Sequence, residues 1–192
     1  VVEPTVKPAA IIMLLTAISS GVIFVLSPDY SFYLGIANKG YFFGIYVLTT
    51  IGVRLVFSSL SDRIGRRETM LFGCTLLVIS MILLGLASDI WSYTIAAAIF
   101  GLATGVSSPT LFAWTADLSL AHRRGTGSGT MFIALEIGIL TGSGLTFLFY
   151  HNTIESARIC MFIAAGFGAI ALLLLLLQLR KAKRGLSAAN NA

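Results

Sequence analysis

The sequence is poor in charged residues and in cysteine. Only 11% of its 192 residues are Asp, Glu, Lys or Arg, whereas 57% are hydrophobic; a water-soluble domain carries roughly 25% charged and about 45–50% apolar residues. This deficit excludes a surface that faces water on all sides. Cys74 and Cys160 stand in no CxxC or CxxH pattern, so neither a disulfide framework nor a metal site is predicted. The sequence also lacks a Gly-rich phosphate loop, so coupling to ATP is not predicted, and no cofactor is predicted either.

The apolar residues fall into six runs of about 20 residues, the length that a helix needs to cross a hydrocarbon core of roughly 30 Å. Strands of a membrane barrel would alternate polar and apolar residues, and the leucine run Leu172–Leu177 does not alternate. The sequence therefore predicts a single all-α integral membrane domain over residues 1–192, in contact with the lipid bilayer, with residues 180–192 as a basic, polar tail. The six predicted helices cover residues 8–27, 40–60, 69–87, 90–114, 126–149 and 156–179.

Basic residues are distributed unevenly between the two ends of these helices. If both termini lie on one side, that side receives ten Lys and Arg residues and the opposite side receives only Lys39 and Arg158. Because cytoplasmic loops carry an excess of Lys and Arg, we expect both termini in the cytoplasm, in a plasma membrane or a bacterial inner membrane. This placement explains the net charge of +5 without a nucleic-acid partner.

The third and sixth predicted helices carry few polar side chains, which suits contact with lipid. The first, second, fourth and fifth carry hydroxyl groups and a tyrosine within the membrane. This alternation favours two sets of three helices, the 3+3 organisation that inverted repeats give to many transporters. For any single hydroxyl group, the alternative is a bond to its own helix backbone or to a neighbouring helix. The candidate cavity-lining residues are Thr16, Ser19, Ser20, Tyr46, Thr50, Thr104 and Ser108.

The loop between the second and third predicted helices reads Leu-Ser-Asp-Arg-Ile-Gly-Arg-Arg over residues 60–67. Gly65 supplies a residue that can take positive φ in a tight turn, and Asp62 can pair with Arg66 or lie at a helix N-terminus. The loop resembles the cytoplasmic loop motif of the major facilitator superfamily, which is roughly G-x-L-A-D-R-x-G-R-R. The chain differs at Ser58, where the family usually has glycine. Further residues of the same motif are Arg63 and Arg67.

A second resemblance lies between the fourth and fifth predicted helices, where Pro109, Asp117, Arg124, Gly125 and Gly129 are similar to a family pattern of Pro, Asp and then Arg-Gly. The two resemblances together cover essentially the whole chain. They imply half of a twelve-helix secondary transporter, which moves a small solute by alternating access and is not an enzyme. Its partners would be the solute, protons and the N-terminal six-helix half.

Three features make the C-terminal half the expected one. The tail has no further hydrophobic run, residues 1–8 read like the end of a central linker, and the fourth helix lacks the arginine of many proton-coupled first halves. The resemblance also implies that Asp62, Arg66 and Asp117 form a charge relay that latches the second helix against the fourth and fifth. For Arg63 and Arg67, the alternative is simple anchoring of a cytoplasmic loop.

Glu136 is the residue most strongly expected to couple protons or bind substrate. It lies about ten residues into the fifth predicted helix, or roughly 15 Å deep at 1.5 Å per residue. A carboxylate at that depth is costly unless it is paired, hydrated or protonated. The alternative is a protonated side chain that bonds a neighbouring helix. Gly138 and Gly142 follow in a GxxxG spacing that favours close helix packing. Arg54 is expected to extend towards the cytoplasmic interface, and the alternative for Arg54 is contact with substrate.

An intramembrane serine protease is the alternative among enzymes. Ser128 and Ser143 each lie between two glycines, but neither completes a Gly-x-Ser-Gly site, and His122 and His151 fall in loops. No catalytic residue is therefore predicted. The alternative among non-enzymes is an isolated half that homodimerises or acts as a non-transporting membrane interaction module.

Overall fold

The computed structural model describes residues 3–57 and 60–190, and every regular element in those ranges is a helix. Short 3₁₀ turns at Pro4–Val6 and Ala121–Arg123 precede α1 and α6. The α-helices are α1 (Lys7–Tyr33), α2 (Tyr41–Phe57), α3 (Leu60–Ile64), α4 (Arg66–Leu86), α5 (Ile90–Leu118), α6 (Arg124–Phe149) and α7 (Ile154–Asn190).

Five of these helices are long and apolar enough to cross a membrane, namely α1, α4, α5, α6 and α7. They correspond to five of the predicted spans, so the all-helical membrane architecture is confirmed. The remaining predicted span is α2, which has 17 residues and falls short of the other five. The six-helix, 3+3 arrangement therefore stays a prediction. Ser58 lies outside the described residues.

Three helices, α1, α5 and α7, extend beyond their predicted ends, α1 and α7 by the largest number of residues. The first was expected to end at residue 27, but α1 continues through Pro28 to Tyr33. Proline removes a helical hydrogen bond, and tertiary contacts hold the last turn: Tyr30 stacks on Tyr93 of α5 with ring centroids 5.6 Å apart and donates to the carbonyl oxygen of Ala87. The tail was expected after residue 179, but α7 continues to Asn190, because its Ala, Leu, Lys and Arg residues are strong helix formers.

The helices pack as an open arc. In spatial order, α2 packs on α5, α5 on α4, α4 on α7, α7 on α1, and α1 on α6. The helices α2 and α6 are consequently the two ends of the arc, and only slight contacts link α1 with α2 or α5 with α6. The space between the α1–α6 pair and the α2–α5 pair is where a cavity can form.

Glycines at a spacing of four residues bring each of these pairs together. A methyl group added at Gly138 or Gly142 of α6 would meet the backbone carbonyl of Leu14 or Ile18 in α1. In the other pair, Gly101 and Gly105 of α5 lie against α2 in the same way. Residues four apart share one face of a helix, and small side chains on that face let two backbones approach closely.

Candidate functional site

A cavity of about 230 Å³ lies between the two helix pairs. Its wall is formed by α1, α2, α5 and α6, with one side chain from α4 and none from α7. Helices α4 and α7 are the third and sixth predicted spans, which were expected to be peripheral. The lining residues are Met13, Thr16, Ala17, Ser20, Phe24, Tyr46, Arg54, Leu77, Ala103, Thr104, Ser107, Ser108, Leu111, Phe112, Leu135 and Ile139.

The structure places five of the seven candidate cavity residues on this wall. The other two lie elsewhere: Ser19 is fully buried, and Thr50 donates from its hydroxyl group to the carbonyl oxygen of Gly101 over 3.2 Å. Thr50 thus joins α2 to α5 where the glycines bring them together. The five that line the cavity are Thr16, Ser20, Tyr46, Thr104 and Ser108.

Two of the lining hydroxyl groups also bond within their own helices. Thr16 donates to the carbonyl oxygens of Ile12 and Met13, and Thr104 donates to that of Phe100. These bonds match the local alternative considered from the sequence. A hydroxyl oxygen that donates its proton still has two lone pairs, so both side chains can accept a hydrogen bond from a molecule in the cavity.

Arg54, in the last turn of α2, lines the cavity together with Ser107 and Phe112, which the sequence did not single out. This position is compatible with both roles considered from the sequence, extension towards the cytoplasmic interface and contact with substrate. One signal was available for Arg54: it is a basic residue well inside a predicted span. No comparable signal marked Ser107 or Phe112, because hydroxyl and aromatic residues recur throughout the helices.

Glu136 does not line the cavity, although Leu135 and Ile139 on either side of it do. Its side chain is exposed, on the same side of α6 as the exposed residues Ile137 and Leu140. The cause is helix geometry: at about 100° per residue, Glu136 lies nearly opposite Gly138, which is fixed against α1. Glu136 was expected to face the cavity, but its side chain lies outside the cavity that this chain forms.

A cluster of charged residues lies at the end of the bundle formed by α3 and the start of α4. The Nε atom of Arg66 lies 2.8 Å from Oδ2 of Asp117, and its Nη1 atom pairs with Asp62 and donates to Oγ of Ser61. Arg66 therefore joins α3, α4 and the end of α5. The relay was expected to reach from the second helix to the fourth and fifth; within the described residues, its ion pairs reach α5 and not α6.

The remaining motif residues shape this end of the bundle. Gly65 adopts φ 111° between α3 and α4, a conformation that a residue with a side chain rarely takes, as the sequence indicated. The guanidinium of Arg67 lies over the ring of Trp114, 5.7 Å from its centroid, a cation–π distance that ties α4 to α5. The two acids Asp62 and Asp117 remain more than half exposed, so each ion pair on its own contributes little stability.

A buried acid precedes α1 and was not anticipated. The side chain of Glu3 is 1% exposed, and its Oε2 atom lies 3.1 Å from Nε of Arg123. The backbone N–H of Glu3 donates to Oγ1 of Thr130 over 2.9 Å. These contacts fix the segment before α1 against the start of α6, on the same side of the bundle as the Arg66 cluster.

At the opposite end, Tyr150 connects α1 to the loop between α6 and α7. Its hydroxyl group donates to Oδ2 of Asp29 over 2.8 Å and lies 2.9 Å from the hydroxyl group of Tyr33. Burial raises the pKa of Tyr150 above its usual value, and the bonds to Tyr33 and Asp29 raise it further. Tyr150 therefore stays protonated and can donate at all ordinary pH values.

The described part of the chain contains no group of three or more His, Cys, Asp or Glu side chains placed to hold a metal ion. The cavity wall instead combines hydroxyl groups, aromatic rings, aliphatic side chains and one guanidinium. Such a surface binds a solute by hydrogen bonds and packing.

Comparison with known proteins places the chain among membrane transport proteins. A family model described as Major Facilitator Superfamily matches residues 9–192. The chain is 25% identical over 145 residues to multidrug resistance protein 1 of Bacillus subtilis (strain 168), covering 76% of the chain and 36% of that protein. It is 29% identical over 154 residues to the putative metabolite transport protein YwtG of the same strain, covering 72% and 34%.

A third relative is the D-xylose transporter of Levilactobacillus brevis, which is 26% identical over 125 residues, covering 65% of this chain and 27% of that protein. The chain thus spans about a third or less of the length of the curated relatives that it matches.

Proposed function

The chain belongs to the major facilitator superfamily, and we propose that it is one six-helix half of a secondary transporter that moves a small solute by alternating access. The observation that carries this proposal is the cavity between the α1–α6 and α2–α5 pairs, whose largely apolar wall carries hydroxyl groups and the guanidinium of Arg54. A solute site near the membrane midplane, between helices that can rock against a second half, is the usual arrangement of secondary transporters.

We take α2 as the sixth membrane crossing. Its 17 residues rise about 26 Å at 1.5 Å per residue, close to a hydrocarbon core of roughly 30 Å. With α2 counted, the helices form two sets of three, in which the third member of each set, α4 or α7, contributes little or nothing to the cavity. The basic loop before α4 favours a cytoplasmic location for the end of the bundle at which α4 begins. Both termini would lie on the same side, in a plasma membrane or bacterial inner membrane.

Exposed apolar surfaces at the two ends of the arc support the proposal that the partner is an N-terminal half. Leu55 of α2 is 79% exposed and Phe147 of α6 is 85% exposed. A second six-helix half that packed on α2 and α6 would cover these surfaces and close the open side of the cavity. The same surfaces favour one further candidate: two copies of this chain could pack there and form a homodimer or a non-transporting interaction module.

The Arg66 cluster supports a conformational latch. Its ion pairs to Asp62 and Asp117 join three helices at one end of the bundle, and they are exposed enough to break without a large free-energy cost. We propose that this cluster stabilises the outward-open state and separates as the two halves rock.

We propose that Glu136 couples protons to transport, a role that requires the second half of the transporter to cover its side chain. It lies on an apolar face at one end of the arc, where a partner half would cover it. A covered carboxyl group favours its neutral form and an accessible one favours its ionised form, so alternating exposure would load and release a proton. The proposal covers both symport and antiport.

The first test is to read the coding frame upstream of Val1 in the natural gene and to measure the size of the native protein in membranes. Six further apolar spans upstream, in a product of about twice this length, are the expected result. A stop codon directly upstream, with a native product of 192 residues, contradicts the half-transporter proposal. Cross-linking through Leu140→Cys at the exposed face of α6 would then detect a homodimer.

A further inference from the structure

Arg54 lies in the last turn of α2, and its exposed side chain lines the open cavity. The preceding residue, Val53, packs on α5 so closely that a methyl group added at Gly105 would lie 3.2 Å from the Cβ atom of Val53. Gly105 is at the midpoint of α5, which runs from Ile90 to Leu118, and about 20 Å of helix extends on either side of it at 1.5 Å per residue. Arg54 therefore follows the point where α2 packs on the middle of α5, the helix that contributes Thr104, Ser107 and Ser108 to the cavity wall.

In the described part of the chain, the cavity wall around Arg54 carries no acidic side chain. The residues that line the cavity with it include Thr104, Ser107 and Ser108 but no Asp or Glu. Among residues 3–57 and 60–190, no carboxylate forms an ion pair with Arg54. The acids nearest the cytoplasmic end are otherwise engaged, Asp62 and Asp117 by Arg66.

The guanidinium of Arg54 places a positive charge on the cavity wall. It keeps its proton at every physiological pH, so it cannot become neutral as a carboxylic acid can. An ionisable side chain inside a membrane is rare, faces a cavity and marks a path for a solute or ion. An anionic group that enters the cavity can therefore pair with Arg54.

We propose that Arg54 determines specificity by binding the anionic group of the transported solute, a carboxylate or a phosphate. Its planar fork suits two parallel hydrogen bonds to either group. The hydroxyl groups of Ser107 and Ser108 lie on the same wall, and Phe24 and Tyr46 supply apolar surface for the remainder of the molecule. This inference rests on the proposed transport function and narrows it to organic anions.

The test uses the protein as the natural gene encodes it, purified in detergent, with thermal unfolding as the measure of binding. Three matched pairs serve as probes: gluconate against glucose, glucose 6-phosphate against glucose, and benzoate against benzyl alcohol. At least one anion is expected to raise the melting temperature while its neutral counterpart does not. The gluconate and glucose 6-phosphate arms distinguish a carboxylate from a phosphate ligand.

Two variants at one position and a matched control assign the effect. Arg54→Gln is expected to weaken binding of the active anion by at least about tenfold, because a charged hydrogen bond is lost, and Arg54→Lys is expected to retain part of it. Lys39→Gln removes the same charge from the loop between α1 and α2, outside the cavity, and should bind as the wild type does.

The assignment is overturned if the neutral member of each pair acts as strongly as the anion, if none of the three anions acts, or if Arg54→Gln binds normally. A large fall in the melting temperature of Arg54→Gln without ligand also overturns it, because that fall indicates a structural ion pair with another part of the protein. Transport of a neutral solute that Arg54→Gln leaves intact would refute the anion site alone. Absence of any transport would instead refute the proposed function.

Discussion

Replacement of Gly142 by alanine should separate α1 from α6 and destabilise the bundle, whereas the same replacement at Gly166 should not. An added methyl group at Gly142 would meet the carbonyl oxygen of Ile18, 3.0 Å from the carbonyl carbon and 3.0 Å from the backbone nitrogen of Val22. Gly166, an exposed residue within α7, has nothing within 4 Å of that position. The two changes are chemically identical and differ only in what faces the methyl group.

The magnitude follows from the atoms that must move. Carbon atoms pack best at about 3.5–4.0 Å, so the contacts at Gly142 require a separation on the order of 1 Å. Overpacking costs about 1–3 kcal/mol, and the upper end applies because the obstacle is backbone and not a flexible side chain. Alanine recovers about 0.5–1 kcal/mol of helix propensity. We expect Gly142→Ala to lose about 2 kcal/mol and Gly166→Ala to gain up to about 1 kcal/mol.

Reversible unfolding of the purified protein in mixed micelles measures both variants. The double variant Gly138→Ala/Gly142→Ala adds a further test: one separation of α1 from α6 accommodates both methyl groups, so its loss should be smaller than the combined losses of the single variants. Equal stability of Gly142→Ala and Gly166→Ala would refute the account of how α1 and α6 pack.

Three further changes test the other features. A double-mutant cycle on Arg66→Gln and Asp117→Asn should give a coupling free energy of no more than about 1 kcal/mol in unfolding experiments. Either variant should nevertheless shift the population between outward-open and inward-open states, as measured by distances between labels on the two halves. Unchanged distances argue against a latch. Glu136→Gln should abolish accumulation driven by a pH gradient while solute exchange persists, and retention of gradient-driven uptake would exclude Glu136 from coupling. Asp89→Ala should lower the melting temperature because Asp89 accepts from the backbone N–H groups of Ser92 and Trp91 at the start of α5. Those bonds lower the pKa of Asp89, so its contribution is complete at neutral pH and is lost as the pH falls through that lowered pKa; a difference between wild type and variant that grows on acidification contradicts this assignment.

The features that depend on local sequence were predictable. The spacing of Asp62, Gly65 and Arg66 indicated a charged turn with a positive-φ glycine, and the structure has φ 111° at Gly65 and an ion pair between the other two. Thr104 and Ser108 were both predicted to line the cavity, and both do; they lie four residues apart and so share one face of α5. Such inferences need only the period of one helix.

The features that depend on how two helices meet were not predictable in the same way. The position of Arg54 on the cavity wall follows from the register of α2 on α5, which the contact of Val53 with Gly105 sets, and hydropathy contains no information on register. The orientation of Glu136 follows from Gly138, which faces α1. The GxxxG spacing indicates close packing, but it does not indicate which helix the glycines contact, and that contact determines which way Glu136 points.

The position at which α1 ends also depends on tertiary contacts. Proline at position 28 made an early end of α1 a reasonable expectation. The stacking of Tyr30 on Tyr93 and its hydrogen bond to Ala87 keep the helix intact. These partners are more than 50 residues away along the chain, and no local pattern connects them.

Alternating access to the cavity is the central claim, and cysteine accessibility tests it without knowledge of the solute. Thr104→Cys places a thiol on the cavity wall, while the native Cys74 and Cys160 are buried and serve as the unreactive background. A membrane-impermeant maleimide would be applied to right-side-out and to inside-out vesicles that contain the complete protein. We expect labelling of Thr104→Cys from both faces of the membrane, and labelling from one face alone would contradict alternating access.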